Sequence, residues 1–213
     1  MMEQQASGGV EMELLLQRVR RIFQLDSAVF DEVRADRAAT VPAAIVAVGS
    51  ILAFAIGGWL WWLINGPDSE FAPGAGEMLL KSVLLGTVLA SLLWAGWVAI
   101  TYVILQQLFR ARVDVNELAR VMGFAAAPLA LGVLMFVPEL AFAIGLTSVA
   151  LLFGSTLIAA QTATDASPAQ VLVANAAGFL VWALVLTLFV TDENFYAPGF
   201  FIFEWGHEAL SSL

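Results

Sequence analysis

The chain has 213 residues, of which 61% are hydrophobic and 13% charged, and its formal net charge is −9. Soluble domains are about 45–50% apolar and about 25% charged, so a single water-excluding core could not bury this much apolar surface. The composition therefore predicts an integral membrane protein. The acidic balance argues against nucleic-acid binding, and the absence of cysteine excludes disulfides, thiolate metal sites and iron–sulfur clusters.

The first 40 residues precede any long apolar segment. Residues 1–10 predict a flexible N-terminus, and residues 11–40 predict amphipathic cytoplasmic helices. Apolar residues from Met12 to Phe23 follow helical spacing, with Arg18, Arg20 and Arg21 around the stripe as candidate interface residues. This pattern suits a helix on the inner membrane surface, or one packed on the cytoplasmic loops of the same chain. No stretch here is long enough for a signal-peptide core, so the first apolar segment is expected to act as an uncleaved anchor.

Five segments approach the roughly 20 apolar residues that a helix needs to cross a hydrocarbon core. The sequence thus predicts an all-α polytopic membrane protein, a bundle of about five transmembrane helices. The second span is long enough to tilt or to project into water, and the third is the shortest. A tight turn is expected at Pro138 between the third and fourth spans. The spans are predicted at about 41–64, 79–108, 121–137, 140–160 and 171–190.

Basic residues indicate the orientation in the membrane. Five arginines precede the first span and three lie between the second and third, whereas Lys81 lies at the opposite end of the second span. By the positive-inside rule, the N-terminus and the loop 109–120 are cytoplasmic. The expected location is the cell (inner) membrane, with the C-terminus outside.

Ionisable residues are absent from the five spans away from their ends. Inserting an ionisable group at the centre of a span costs roughly 2.5–3.5 kcal/mol, so such a group is normally present because function requires it. Proton pumps and ion-coupled carriers contain such groups, and this chain does not. Asn175 and Gln161 are expected to be interhelical hydrogen-bond partners or interface anchors. The single His207 stands in no catalytic or metal-binding motif. We therefore predict a protein that is not an enzyme and has no cofactor or metal site.

Small residues recur at four-residue spacing in every span. Helices in lipid associate through close backbone approach, so these positions predict packing within the bundle, with a dimer interface as the alternative. The candidate packing residues are Gly49, Ala53, Gly57, Gly86, Ala90, Gly145, Gly154, Ala174 and Gly178.

Residues 191–213 form an aromatic, acidic tail that is predicted to face outward. Its candidate interface residues are Phe200, Phe201, Phe203 and Trp205. Aromatic residues of this kind favour the bilayer interface, and a docking surface for another membrane subunit is the alternative.

Two stretches carry a family resemblance, "LLLQRVRRIFQLDSAVFDEVRAD" and "LARVMGFAAAPLALGVLMFVP". The second contains a Gly, small residues, a mid-helix Pro128 and a closing Pro138, which we regard as structural residues. Over roughly residues 14–190 the chain resembles the Yip-one domain family, membrane proteins named for interaction with Ypt/Rab GTPases. The resemblance implies five helices with the N-terminus inside and, for eukaryotic members, roles in vesicle formation and membrane shaping. A bacterial-type member has no Rab partner to bind.

Three functions are consistent with these features. The first is a membrane organiser or scaffold of the Yip type, and the second is an accessory subunit of a larger respiratory or photosynthetic membrane complex. The third is a small transporter for a neutral solute. The expected partners are the lipid bilayer, other membrane-protein subunits or a second copy of the chain, and not nucleic acid.

Overall fold

The structure, a computed structural model, describes residues 2–24, 26–66, 74–191, 194–199 and 201–203. Five of its helical segments are long and apolar enough to cross a membrane. The protein is thus an all-α polytopic bundle, which confirms the predicted fold class. The principal helices are α1 (Met2–Phe23), α2 (Ala28–Ala35), α3 (Thr40–Asn65), α4 (Ala75–Leu108), α5 (Val115–Ala125), α6 (Ala141–Thr162) and α7 (Pro168–Leu188).

The N-terminal helix is longer than the sequence pattern predicts. Residues 1–10 were expected to be flexible, but α1 is helical from Met2 onward. Glutamate, glutamine, alanine and methionine are good helix formers, and their summed preference outweighs the pair Gly8–Gly9, which costs about 1 kcal/mol per glycine relative to alanine. After α2, the side chain of Asp36 caps a short 3₁₀ turn, Arg37–Ala39, that leads into α3.

The five spans run over Arg37–Asn65, Ala75–Leu108, Val115–Phe136, Pro138–Thr162 and Pro168–Leu188. Four of them both begin and end within a few residues of the predicted bounds. The third begins at Val115, six residues before Val121, because Asp114 caps its polar first turn by accepting hydrogen bonds from the N–H groups of Asn116 and Glu117. Hydropathy alone does not register such polar helical residues.

Two prolines determine the shape of the third span. Pro128 cannot continue an α-helix, and the chain changes there from α5 to a 3₁₀ helix over Ala127–Phe136. A 3₁₀ helix rises about 2.0 Å per residue against 1.5 Å for an α-helix, so these ten residues reach about 5 Å further. Pro138 then opens a short 3₁₀ turn, Pro138–Leu140, which makes the expected tight connection to α6.

The third span is the innermost of the five. Buried residues make up 72% of its most apolar window, against 28–44% for the other spans. It packs between the first and the fourth spans, while the fifth span contacts both the fourth and the second, and the second contacts the first. The span that looks weakest by hydropathy is therefore the centre of the bundle.

Glycine allows the first and third spans to touch through their backbones. A Cβ atom placed on Gly57 would lie 1.8 Å from the carbonyl oxygen of Gly132, and one on Gly132 would lie 2.2 Å from the ring of Phe54. No methyl group fits in either place. Gly49, two turns earlier on α3, has open space beside it.

We expect Gly57→Ala to lower the free energy of unfolding by about 1–3 kcal/mol, because the added methyl must separate two packed backbones. The matched variant Gly49→Ala adds the same methyl to the same helix without a clash, and the better helix propensity of alanine should leave stability unchanged or slightly raised. Thermal unfolding in mild detergent measures both. Equal stability of the two variants would contradict this packing.

Candidate functional site

Three segments of the chain, two of which carry arginines, meet at one end of the bundle. Arg120 donates from Nη2 to the carbonyl oxygen of Arg34 at 2.7 Å, and Arg34 donates to the carbonyl oxygen of Thr162. The backbone N–H of Arg112 donates to the carboxylate of Asp165 at 2.7 Å. We call residues 18–37, 110–120 and 162–166 together the arginine-rich end. The predicted N-terminal and second-to-third loops thus share one side of the spans.

An open polar pocket of about 700 Å³ lies at this end. Arginines and carboxylates both line it, including Arg34, Arg112, Asp114, Glu117 and Asp165. The mixture of charges favours neither a cation nor an anion. Among the described residues, no three His, Cys, Asp or Glu side chains are close enough together to hold a metal ion.

Arg18 fastens α1 to the bundle. Its side chain is buried, donates from Nη2 to Asp36 Oδ2 at 2.7 Å, and lies 6.0 Å over the ring of Phe124. The hydrogen bond from Arg18 is the main reason why the pKa of Asp36 lies below its ordinary value of 3.8, against the opposing effect of partial burial. A second hydrogen bond, from the N–H of Ala38, also lowers this pKa.

Arg21 joins α1 to α2 on the exposed side. Its Nε donates to Asp26 at 2.7 Å and its Nη1 donates to both carboxylate oxygens of Glu32 at 2.7 Å. The same contact with Arg21 lowers the pKa of Asp26. Because these groups face water, the pairs mainly fix the angle between the helices.

The three predicted interface arginines therefore have different environments. Arg18 and Arg21 make intramolecular ion pairs, which supports the alternative in which α1 packs on the chain itself. Arg20 is exposed and lies on the opposite face of the helix from Arg18.

A second face of α1 is apolar and exposed. Leu15, Arg18 and Ile22 form the face that packs on the bundle, while Met12, Leu16 and Phe23 form an exposed stripe about a quarter-turn away. We call these last three residues the α1 stripe. An exposed apolar stripe beside basic residues is typical of helices that lie at a membrane surface.

Asn175 links three spans inside the membrane. Its side-chain oxygen accepts from Trp97 Nε1 on α4 at 3.1 Å, and its Nδ2 donates to Thr156 Oγ1 on α6 at 3.2 Å. Asn175 itself lies on α7 and is buried. The residue is thus an interhelical hydrogen-bond partner, whereas Gln161 bonds the carbonyl oxygen of Ala166 in the following loop.

At the opposite end, the tail folds back onto the spans. After the antiparallel pair Val190–Thr191 and Asn194–Phe195, the carbonyl oxygen of Ala197 accepts from Ser82 Oγ at 2.9 Å. Gly199 takes the left-handed conformation (φ +59°), and a Cβ atom there would lie 2.4 Å from the ring of Phe54. Only glycine fits this close approach.

Two of the tail aromatics that the structure describes pack against the spans. Phe203 is buried, with its ring 5.8 Å from that of Trp182, and Phe201 packs at 4.7 Å on Trp61. Phe203 is therefore packed inside the protein rather than at an interface, whereas Phe201 is half-buried and its interface role stays a prediction. Phe200, Trp205 and His207 lie outside the described residues.

The candidate packing residues fall into two groups. Most of them contact another segment. A Cβ atom added to Gly178 would meet Trp97, one added to Gly145 would meet Met135 and Ile202, and one added to Gly86 would meet the tail. Ala90 and Ala174 are buried, and Ala53 is half-buried. Gly49 and Gly154 have nothing nearby, so their predicted role in packing the bundle is wrong. Four-residue spacing identifies small residues that share one face of a helix, but it does not indicate whether that face lies against another span or points away from the bundle.

One strong local signal escaped the sequence analysis. Ser167 and Gln170 form a reciprocal capping box at the start of α7, and Pro168 occupies the first turn. The pattern Ser-x-x-Gln before an apolar run predicts the N-terminus of a helix. The fifth span therefore begins at Pro168 rather than at Val171.

Comparisons with known proteins yield no relative: no family model, no curated protein and no solved structure matches the chain.

The ion pair of Arg18 and Asp36 predicts a pH dependence. Because the pKa of Asp36 is lowered in the folded protein, the pair stabilises the fold above pH 3.8, and this contribution is lost as the pH falls through the lowered value. We expect Asp36→Asn to cost roughly 1 kcal/mol at neutral pH, allowing for solvent screening. The difference from wild type should disappear in acid, as measured by thermal unfolding in detergent. Asp31→Asn, an exposed change on α2, is the control, and a pH-independent effect of Asp36→Asn would contradict the assignment.

Proposed function

We propose that the protein is a non-enzymatic, multi-pass protein of the cell (inner) membrane that organises or shapes the bilayer, as its resemblance to Yip-one domain proteins implies. The α1 stripe is the observation that carries this proposal. An amphipathic helix of this kind lies in the interfacial plane, with its apolar face about 5–10 Å into the boundary between headgroups and acyl chains.

The attachment of α1 to the bundle supports the same role. A free amphipathic helix binds to and dissociates from the bilayer surface. In contrast, α1 is held against the rest of the chain by the ion pair of Arg18 with Asp36 and by the ion pairs of Arg21 with Asp26 and Glu32. Its apolar volume would thus be added to one leaflet at a fixed place beside the spans. Volume added to a single leaflet favours curvature towards that side.

The orientation that we propose follows from the charges. The two arginine-bearing segments, 18–37 and 110–120, share one end of the spans, and Lys81 lies beside Glu77 and Tyr196 near the other. The positive-inside rule then assigns the arginine-rich end to the cytoplasm. The N-terminus is inside and the C-terminus outside.

A transporter is less well supported. The most polar residue in the spans, Asn175, uses both its amide oxygen and its amide nitrogen to join helices. The five spans carry no ionisable group away from their ends. The intramembrane polar groups thus serve to hold helices together, which is the role expected in a scaffold.

Membrane tethers drawn from giant vesicles test the proposal. The labelled full chain should be enriched on the narrow tether relative to the flat membrane. Leu16→Ser with Phe23→Ser should abolish the enrichment, because each side chain loses roughly 1.5–3 kcal/mol of burial in lipid. The matched control, Gln17→Ser with Gln24→Ser, changes exposed polar residues within α1 and immediately after its end. Equal partition of the wild-type protein, or enrichment that survives the stripe variant, would contradict an organising role.

A second candidate function is that of an accessory subunit in a larger membrane complex. Gly49 and Gly154 favour it, because both leave room for another helix on the outside of the bundle. Purification in mild detergent with mass spectrometry separates the two functions. A stoichiometric large partner supports the subunit, and a lone monomer or dimer supports the organiser.

A further inference from the structure

A cleft of about 280 Å³ opens between α1 and the first turns of α3. Met12 and Leu15 form one wall, and Pro42 and Ile45 form the other. Arg18, together with its partner Asp36, provides the polar side of the cleft. The cleft therefore lies where the first span begins, which is the depth at which a bilayer changes from headgroups to acyl chains.

The apolar walls continue onto the surface that faces lipid. Val41, Ile45 and Met12 are all more than half exposed and all line the cleft. An acyl chain can thus enter from the bilayer without crossing polar surface. The volume of about 280 Å³ is slightly below the roughly 300–1,000 Å³ of small-molecule sites, which suits one chain segment rather than a whole lipid.

Arg18 has unused hydrogen-bonding capacity at this place. Its side chain is nine-tenths buried, and within the described residues Asp36 is its only acceptor. The Nε–H group is buried without a partner. Orphaned buried donors are uncommon in native proteins, and an oxygen acceptor that is not part of this chain would satisfy this one.

A second buried arginine adds positive charge to the surroundings of Asp36. Arg120 is also buried, its Nε is likewise without a partner, and it forms no ion pair in the described part of the chain. Its guanidinium group adds to that of Arg18 in lowering the pKa of Asp36. The carboxylate of Asp36 is thus influenced by two buried cations, of which Arg18 lines the cleft.

We propose that the cleft is a binding site for an anionic glycerophospholipid of the surrounding bilayer. One acyl chain lies between Met12, Leu15 and Ile45, and a phosphate or ester oxygen accepts hydrogen bonds from Arg18. A small shift of the Arg18 side chain brings its Nε–H to that oxygen. The inference requires the five-span fold and the docked α1, but it does not require that the protein shapes membranes.

The test uses the full chain in mild detergent micelles that contain equal amounts of phosphatidylglycerol and phosphatidylcholine. After extensive washing, mass spectrometry of the protein measures how much of each lipid stays bound. The wild type should keep close to one equivalent of phosphatidylglycerol and clearly less phosphatidylcholine. Arg18→Gln should lower the retained phosphatidylglycerol about tenfold, the effect of losing one charge-assisted hydrogen bond. Arg20→Gln, which removes the same charge from the exposed face, should retain it fully.

A second variant keeps the proposal testable if Arg18→Gln fails to fold. Ala38 is exposed and lines the cleft, so Ala38→Phe should fill it while leaving Arg18 and Asp36 in place. It too should lose the lipid. Full retention by both variants, equal retention of the two lipids by the wild type, or displacement by millimolar inorganic phosphate alone would each overturn the proposal. The stripe variant Leu16→Ser with Phe23→Ser does not touch the cleft and should keep its lipid, so this test and the tether test fail independently.

Discussion

The ring of Phe54 holds the bundle together, because two glycines from different parts of the chain close on it. Gly132 of the third span and Gly199 of the tail each approach the ring too closely for any side chain. On the same helix, Gly57 touches the backbone of Gly132. The third span is thereby held at the centre, and the tail can return between the ends of the spans that lie opposite the arginine-rich end. In lipid, where apolar surface alone does not drive helices together, such close packing supplies the association energy.

The two ends of the bundle are closed by different chemistry. Arginine side chains, carboxylates and backbone carbonyls join the segments at the arginine-rich end, whereas aromatic rings and the re-entering tail close the other. The proposed activities fall at the first end. There α1 is fastened by ion pairs and still exposes an apolar stripe, so one helix can contact both the protein and the bilayer. A cleft beside that helix adds a defined lipid to the same surface.

Hydropathy and charge predicted most of the fold. Five uncharged segments of sufficient length required five spans, and the clustered arginines required their loops to share one side. Features that depend on the direction in which a side chain points, rather than on composition, could not be predicted from the sequence. Spacing could not tell that Gly57 faces the third span while Gly49 faces outward, or that the aromatic tail turns inward to Trp61 and Trp182. The pairing of Arg18 with Asp36, eighteen residues away, likewise required the fold. The capping box at Ser167 was readable from its sequence pattern.

The proposed topology requires that the two ends of the bundle lie on opposite sides of a membrane. Because the chain has no cysteine, single cysteines can report this directly. Glu139→Cys and Ala169→Cys place exposed thiols at the outer turn and at the arginine-rich end, respectively. In intact cells, a membrane-impermeant maleimide should label Glu139→Cys at once and Ala169→Cys only after the membrane is permeabilised. Labelling of both thiols from outside, or of Ala169→Cys alone, would contradict the account.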